Sequence, residues 1–175
     1  MAKVSIGSIS TGTLRTEDLL EEFAWELHRL DNDNALPEDV EKLRSSSHDM
    51  EEGNDGYGER CLNCGDYEDD LDLLCSEASE RIREQAGYIL DELFDALNGY
   101  CPPFVFFGSH PGDGADFGYW PDVDVLEQAV CDATGVKSMA DDEYVLADDG
   151  VIVQVSDHGN ILVMDMDRKE LWSCV

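Results

Sequence analysis

The sequence predicts an α+β fold, in which N-terminal helices, one of them long and amphipathic, precede a small antiparallel sheet of about three to five strands. Two observations carry this prediction. Apolar residues recur at helical spacing through the N-terminal half, whereas short apolar runs separated by turn-forming residues fill the C-terminal part. At 175 residues and 42% apolar content, the chain is long enough to build one core, so we predict a single domain over residues 1–175.

The helices are predicted in chain order. Thr16, followed by two acids, is typical of the N-cap residue that precedes a helix, and apolar residues then recur every three or four positions. A shorter helix is predicted after Pro37. The longest helix runs from about Glu68 to Asn98, where a glycine and two prolines end it. Its apolar residues share one face. They are Leu71, Leu74, Cys75, Ala78, Ile82, Ala86, Ile89, Leu93 and Leu97.

The remaining segments are loops and short strands. Residues 45–66 are rich in Ser, Gly, Asn and Asp, so we predict a long loop that is mobile or held by a metal ion. Residues 104–107 predict a buried strand, 108–122 a glycine-rich loop and 124–131 a short helix. Four short β runs follow, with hairpin-type turns between three of them. They are residues 144–147, 151–155, 161–164 and 171–174.

The charge of the chain limits its partners. Asp and Glu number 41 against 11 Lys and Arg, a formal net charge of −30. A net charge of about 2–8 keeps a small domain soluble, and thirty charges equal those of about 15 base pairs of DNA. No Lys or Arg lies between Arg83 and Lys137. We therefore expect a basic partner and no direct binding of nucleic acid, and a halophilic origin is the alternative explanation of the acidity.

The chain shows no sign of membrane insertion or export. No stretch approaches the ~20 apolar residues of a membrane span, and the first residues lack the apolar block of a signal peptide. We therefore expect a cytoplasmic protein without membrane contact, whose six cysteines are mostly reduced thiols.

Acidic residues recur on the long helix opposite its apolar face. Their steps of three, four or seven residues predict a continuous acidic ridge, in which Tyr88 fills the one gap. Such a ridge is usually a solvated face, and the size of the charge imbalance favours a binding role here. The acidic ridge is Glu77, Glu80, Glu84, Asp91 and Asp95. With acids that follow the helix, Asp113, Asp116, Asp122 and Asp124, it makes up the predicted partner-binding residues.

One cysteine pair has the spacing of a metal site. Cys61 and Cys64 stand two residues apart before a glycine, as in zinc knuckles. Cys75 and His48 would complete the four ligands of one structural zinc ion. No second Cys pair is present, so plain reduced thiols without any cofactor are the alternative.

The glycine-rich 108–122 segment gathers His110, Asp113 and Asp116 near Trp120. One imidazole and two carboxylates are suited to metal binding or acid–base chemistry, but the glycines equally describe a tight surface loop. The chain has no phosphate-binding loop lysine, nucleophile elbow, HExxH helix or dinucleotide fingerprint. We therefore predict that the protein is not an enzyme.

Several segments resemble a group of uncharacterised small acidic proteins encoded by bacteriophages. They are GTLRTEDLL at 12–20, LFDALN at 93–98, FGSHPGDGADFGYWPD at 107–122, DHGN at 157–160 and ELWSCV at 170–175. The resemblance implies a phage origin and hence the cytoplasm of an infected bacterium. It implies no catalytic residues and does not extend to the 45–66 segment.

Some small acidic phage proteins are DNA mimics that block restriction enzymes, recombination nucleases or CRISPR effectors. The chain is similar to them in its charge, in the spacing of its ridge and in its lack of counter-charges, and not in any motif. We therefore expect a phage-encoded DNA mimic that inhibits a host defence or DNA-processing protein by occupying its DNA-binding surface. One alternative is an accessory or structural phage protein that acts through residues 107–122, and another is a metal-dependent enzyme. Whether the protein forms a homodimer stays open.

Overall fold

A computed structural model describes residues 3–51, 71–135 and 143–174, and it describes side chains for these residues except 44–51, 71–82 and 134. The helices are α1 (Thr16–Leu30), α2 (Leu36–Glu51), α3 (Leu71–Asn98) and α4 (Val123–Thr134). The strands are β1 (Gly7–Thr11), β2 (Val105–His110), β3 (Asp113–Pro121), β4 (Glu143–Leu146), β5 (Val151–Val155), β6 (Ile161–Asp165) and β7 (Glu170–Cys174). Helices and two antiparallel sheets confirm the predicted α+β class.

The chain divides into two compact units. The first is Met1–Gly12 with Leu97–Val175, and the second is Thr13–Ala96. The first unit therefore holds the described strands and α4, and the second holds α1, α2 and most of α3. The single domain over residues 1–175 stays a prediction.

The helical unit is built around the apolar faces of its helices. Phe23 of α1 meets Phe94 of α3 edge to face, with ring centroids 5.0 Å apart. Ala86, Ile89 and Leu93 of α3 are buried, as their spacing predicts. This burial fixes which face of α3 points to solvent, because the helix repeats every 3.6 residues.

The start of α1 differs from the prediction by one residue. Thr16 is the first helical residue, and the residue before it is extended and makes no side-chain cap. Thr13 stabilises the approach instead. Its hydroxyl donates to the Asp18 carboxylate at 2.7 Å and accepts from the Arg15 amide at 3.1 Å.

The loop predicted over residues 45–66 is wrong in its first part. Helix α2 continues to Glu51, and the rest of that segment lies outside the described residues. No Gly or Pro interrupts the chain between Pro37 and Gly53, and the acids at 38 and 39 suit the first turn of a helix. Serine lowers helix stability by only about 0.5 kcal/mol per residue, so a polar run does not end a helix.

The glycine-rich loop predicted over residues 108–122 is also wrong. This segment forms the β2–β3 hairpin, which turns between His110 and Asp113, and β1 pairs with the other edge of β3. Gly108 lies directly opposite Gly118. A Cβ atom on Gly118 would lie 2.8 Å from Ser8 Cα and closer still to the Gly7 carbonyl, so β1 can pack here only against glycine.

The four-stranded sheet has the order β4-β5-β6-β7, and its strands match the predicted β runs within a residue or two. One face packs with α4 into a core that includes Leu126, Val130, Val153 and Trp172. The Trp172 indole donates to the Pro103 carbonyl at 2.8 Å, so the chain entering β2 is bonded to a residue of β7.

The glycine at 118 gives a stability prediction. Gly118→Ala should lower the free energy of unfolding by about 2 kcal/mol or more, because β1 must move away from β3. Gly114→Ala, on the same strand in open space, is the matched control and should change it by less than ~0.5 kcal/mol. Urea unfolding at equilibrium measures both, and equal values for the two variants would contradict the close approach of β1.

The Glu26–Arg29 ion pair gives a second stability prediction. The Glu26 side chain is 2% exposed and accepts two hydrogen bonds, at 2.6 and 2.7 Å, from the Arg29 guanidinium, which is 33% exposed. Arg29→Met should destabilise the protein by about 2–3 kcal/mol, because it leaves a buried carboxylate without its guanidinium. Adding Glu26→Met should recover most of that loss, again by urea unfolding, whereas no recovery would show that packing rather than charge sets the cost.

Candidate functional site

The part of the acidic ridge that the structure describes is exposed. Glu84, Asp91 and Asp95 point to solvent, on the face of α3 opposite the buried Ile89 and Leu93. Glu77 and Glu80 lie on the same helix, and their side chains are outside the described part of the chain. The helical period therefore predicted correctly that Glu84, Asp91 and Asp95 share one accessible face.

Glu92 belongs to the same surface, and the sequence reasoning missed it. It is exposed, three residues before Asp95 and one turn after Tyr88. The distance along the helix from Glu84 to Asp95 is about 16 Å at ~1.5 Å per residue, so the three intervals between these four carboxylates average about 5.5 Å. One strand of DNA carries one charge per about 3.4 Å of axis. The linear charge density of this face is therefore lower than that of one DNA strand, and of the same order.

Tyr88 lies within this acidic face. Its side chain is 71% exposed, whereas Tyr119 and Tyr144 are 0% and 8% exposed. Glu84 stands one turn before Tyr88, and Asp91 and Glu92 stand one turn after it. The gap in the ridge is thus occupied by an accessible aromatic ring bordered by carboxylates.

The β2–β3 hairpin forms a second candidate surface, in the other unit. His110 and Trp120 pack edge to face with ring centroids 4.5 Å apart. The Trp120 indole donates to the Gly108 carbonyl at 3.0 Å, and the His110 Nδ1 accepts from the Gly112 amide at 3.0 Å. An accepting Nδ1 places the proton of the neutral imidazole on Nε2.

The two carboxylates of this hairpin differ in their surroundings. Asp113 is exposed and opposite His110 in the register, and its Oδ1 accepts from the Ala115 amide at 3.0 Å, which stabilises the turn. Asp116 is half-buried on β3, and its Oδ1 is enclosed without a hydrogen-bond partner among the described residues. The hairpin therefore packs His110 against Trp120 and places Asp113 opposite His110, whereas Asp116 lies three residues farther along β3. A functional role for this segment stays a prediction.

Asp122 and Asp124 have different roles at the start of α4. The Asp122 carboxylate accepts from the Val125 amide at 3.1 Å and caps the helix. Asp124 is exposed in the first turn. Capping typically contributes about 1 kcal/mol, so Asp122 has a structural function and Asp124 is the more available of the two for a partner.

The predicted zinc ligands fall largely outside the described structure. Cys61 and Cys64 are outside the described residues, and Cys75 and His48 lie in helices at positions without described side chains. Within residues 3–51, 71–135 and 143–174, no group of three or more His, Cys, Asp or Glu side chains is placed to hold a metal ion. The structural zinc site stays a prediction.

Cys101 is a half-buried thiol next to the end of α3. Burial raises its pKa to about 11, and a hydrogen bond from the Phe107 backbone offsets this only in part. Its Sγ also lies 3.7 Å from the Leu97 carbonyl. The thiol is therefore protonated at neutral pH and is a poor nucleophile, because the thiolate is the reactive form.

Comparisons with known proteins give no family for this chain. No protein-family model, curated protein or solved structure matches it. The resemblance to small phage proteins therefore stays a prediction. Among the helices of the described residues, none is long and apolar enough to cross a membrane.

The pKa of Cys101 leads to a chemical prediction. In a variant that keeps only Cys101 and has the other five cysteines replaced, alkylation by iodoacetamide should rise about tenfold per pH unit from pH 7 to 9.5. The reason is that a pKa of about 11 leaves little thiolate over that range. The same variant in urea should level off above its unfolded pKa of about 8.5. A native-state rate that levels off near pH 8.5 would contradict the burial of this thiol.

Proposed function

We propose that this protein is a phage-encoded DNA mimic that inhibits a bacterial defence or DNA-processing protein by occupying its DNA-binding surface. The observation that carries the proposal is the exposed acidic face of α3. Its carboxylates have an average spacing of the same order as that of the charges on a DNA strand, and the helix that carries them is held by a buried apolar face.

The distribution of positive charge supports the proposal. Four ion pairs engage acids outside the acidic ridge: Arg15 with Glu17, Arg29 with Glu26, Lys42 with Asp39, and Arg168 with Glu143. No Lys or Arg occurs in the sequence between Arg83 and Lys137, where ten acids lie. Acidity needed only for solubility does not require this separation, since a far smaller net charge is sufficient.

The mechanism follows from long-range electrostatics. A basic DNA-binding cleft attracts the acidic face of α3, and the attraction raises the association rate and weakens as salt screens it. Bound there, the helix excludes DNA because both use the same cations. Inhibition should then be competitive with DNA.

Reversal of the ridge tests this function. The triple variant Glu84→Lys, Asp91→Lys and Asp95→Lys should lose at least tenfold in inhibition while keeping its thermal unfolding temperature, because all three side chains are exposed. The assay is DNA cleavage by a panel of restriction, recombination and CRISPR nucleases in the presence of the purified protein. For any nuclease that is inhibited, adding DNA should restore cleavage.

The matched control has the same change in net charge on another surface. Asp148, Asp149 and Asp157 are exposed turn residues, and reversing all three to Lys should leave inhibition within about threefold of the unchanged protein. Equal losses in the two variants would show that net charge alone acts. Unchanged inhibition in the ridge variant would overturn the proposed site.

The β2–β3 hairpin carries the second candidate function, that of an accessory or structural phage protein. The observations in its favour are the packed His110–Trp120 pair and, on the same hairpin, the enclosed Asp116 oxygen. If this surface is the functional one, His110→Ala with Asp113→Ala will abolish activity while the ridge variant keeps it. The same two variants therefore separate the two functions.

A further inference from the structure

The helical unit exposes two large aromatic side chains on different helices. Trp25 of α1 is 66% exposed and Tyr88 of α3 is 71% exposed. Each has a glutamate one helical turn earlier, Glu21 before Trp25 and Glu84 before Tyr88. A second acid also lies within one turn of each ring. It is Glu22 for Trp25 and Asp91 for Tyr88. Trp25 also has Arg29 one turn later, and that guanidinium is bound to the buried Glu26.

The carboxylates within one helical turn of each ring restrict which chemical groups can bind the rings. An apolar partner would have to strip water from the neighbouring carboxylates without replacing it, which is unfavourable by more than the ring contact contributes. A phosphate group would be repelled. A cation satisfies both features, because a ring face attracts positive charge and a carboxylate pairs with it.

Arginine fits the setting better than lysine. Its planar guanidinium stacks on an aromatic face and at the same time presents paired N–H donors to a carboxylate, whereas the lysine ammonium is a compact and strongly hydrated charge. Arginine is also a common phosphate-binding residue of nucleic-acid-binding surfaces. The neighbouring carboxylates therefore favour a cationic group, and the aromatic ring favours a planar one such as guanidinium.

We infer that Trp25 and Tyr88 are arginine-binding anchors, and that the basic partner presents arginine side chains to them. This inference rests on the proposed function, because it names the chemistry of the partner surface that the acidic face of α3 would contact. It adds a second binding position, on α1, that the acidic ridge does not include.

The experiment compares two probes of equal charge. Fluorescently labelled decaarginine and decalysine are titrated with the protein at 150 mM salt, and anisotropy gives the two dissociation constants. The quantity of interest is the ratio of the lysine constant to the arginine constant. Trp25→Leu and Tyr88→Leu should each lower this ratio about two- to fivefold, and the double variant about 4- to 25-fold. Tyr88→Phe keeps the ring and should leave the ratio within about twofold of the unchanged protein.

The outcomes separate the inference from the function on which it rests. An unchanged ratio in the double leucine variant overturns the arginine anchors and leaves the mimic proposal intact. Reversal of Glu84, Asp91 and Asp95 to Lys should weaken both peptides, since it removes the charge and not the rings. If neither peptide binds the unchanged protein at this salt concentration, both the anchors and the proposed function are overturned. Unfolding temperatures of all variants should agree, because each altered side chain is exposed.

Discussion

Repulsion among 41 acidic side chains is the constraint that the rest of this molecule must satisfy. A net charge of −30 opposes compaction, and a burial of apolar faces has to offset it. On α3, Ile89 and Leu93 are buried while Glu84, Asp91 and Asp95 lie on the opposite face. One face of α3 thus stabilises the fold by apolar burial, and the opposite face carries the exposed carboxylates.

Glu26 shows the other way in which this chain accommodates an acid. It lies at a buried position of α1 among apolar residues and is held by two hydrogen bonds from Arg29. A buried pair of this kind contributes little to net stability compared with apolar side chains of the same volume, and losing one partner is strongly unfavourable. Arg15, Arg29 and Lys42 each pair with an acid of their own segment, outside the exposed acidic face of α3.

How far the sequence predicted the structure depends on the kind of signal. The faces of α3 follow from a fixed helical period, and so the buried and exposed sides of Ile89 and Asp91 were predicted. The β2–β3 hairpin was missed because Gly108 and Gly118 indicate a loop when taken singly, and their pairing across two strands is a non-local fact. The burial of Glu26 was not predicted, since the apolar spacing of α1 does not show how wide its buried face is. Which exposed residues act together likewise depends on tertiary structure.

The exposed charges of α3 alone would not give the binding affinity that a DNA mimic needs. An exposed ion pair contributes about 0.2–1 kcal/mol, so the four acids from Glu84 to Asp95 provide a few kcal/mol at most. A nanomolar complex requires about 12 kcal/mol. Interfaces usually make up such a difference with a few accessible aromatic residues that become buried on binding. Tyr88, 71% exposed among those acids, is the residue of α3 that has this property. In the proposed complex, charge would attract the partner to this surface and the Tyr88 ring would be buried against it.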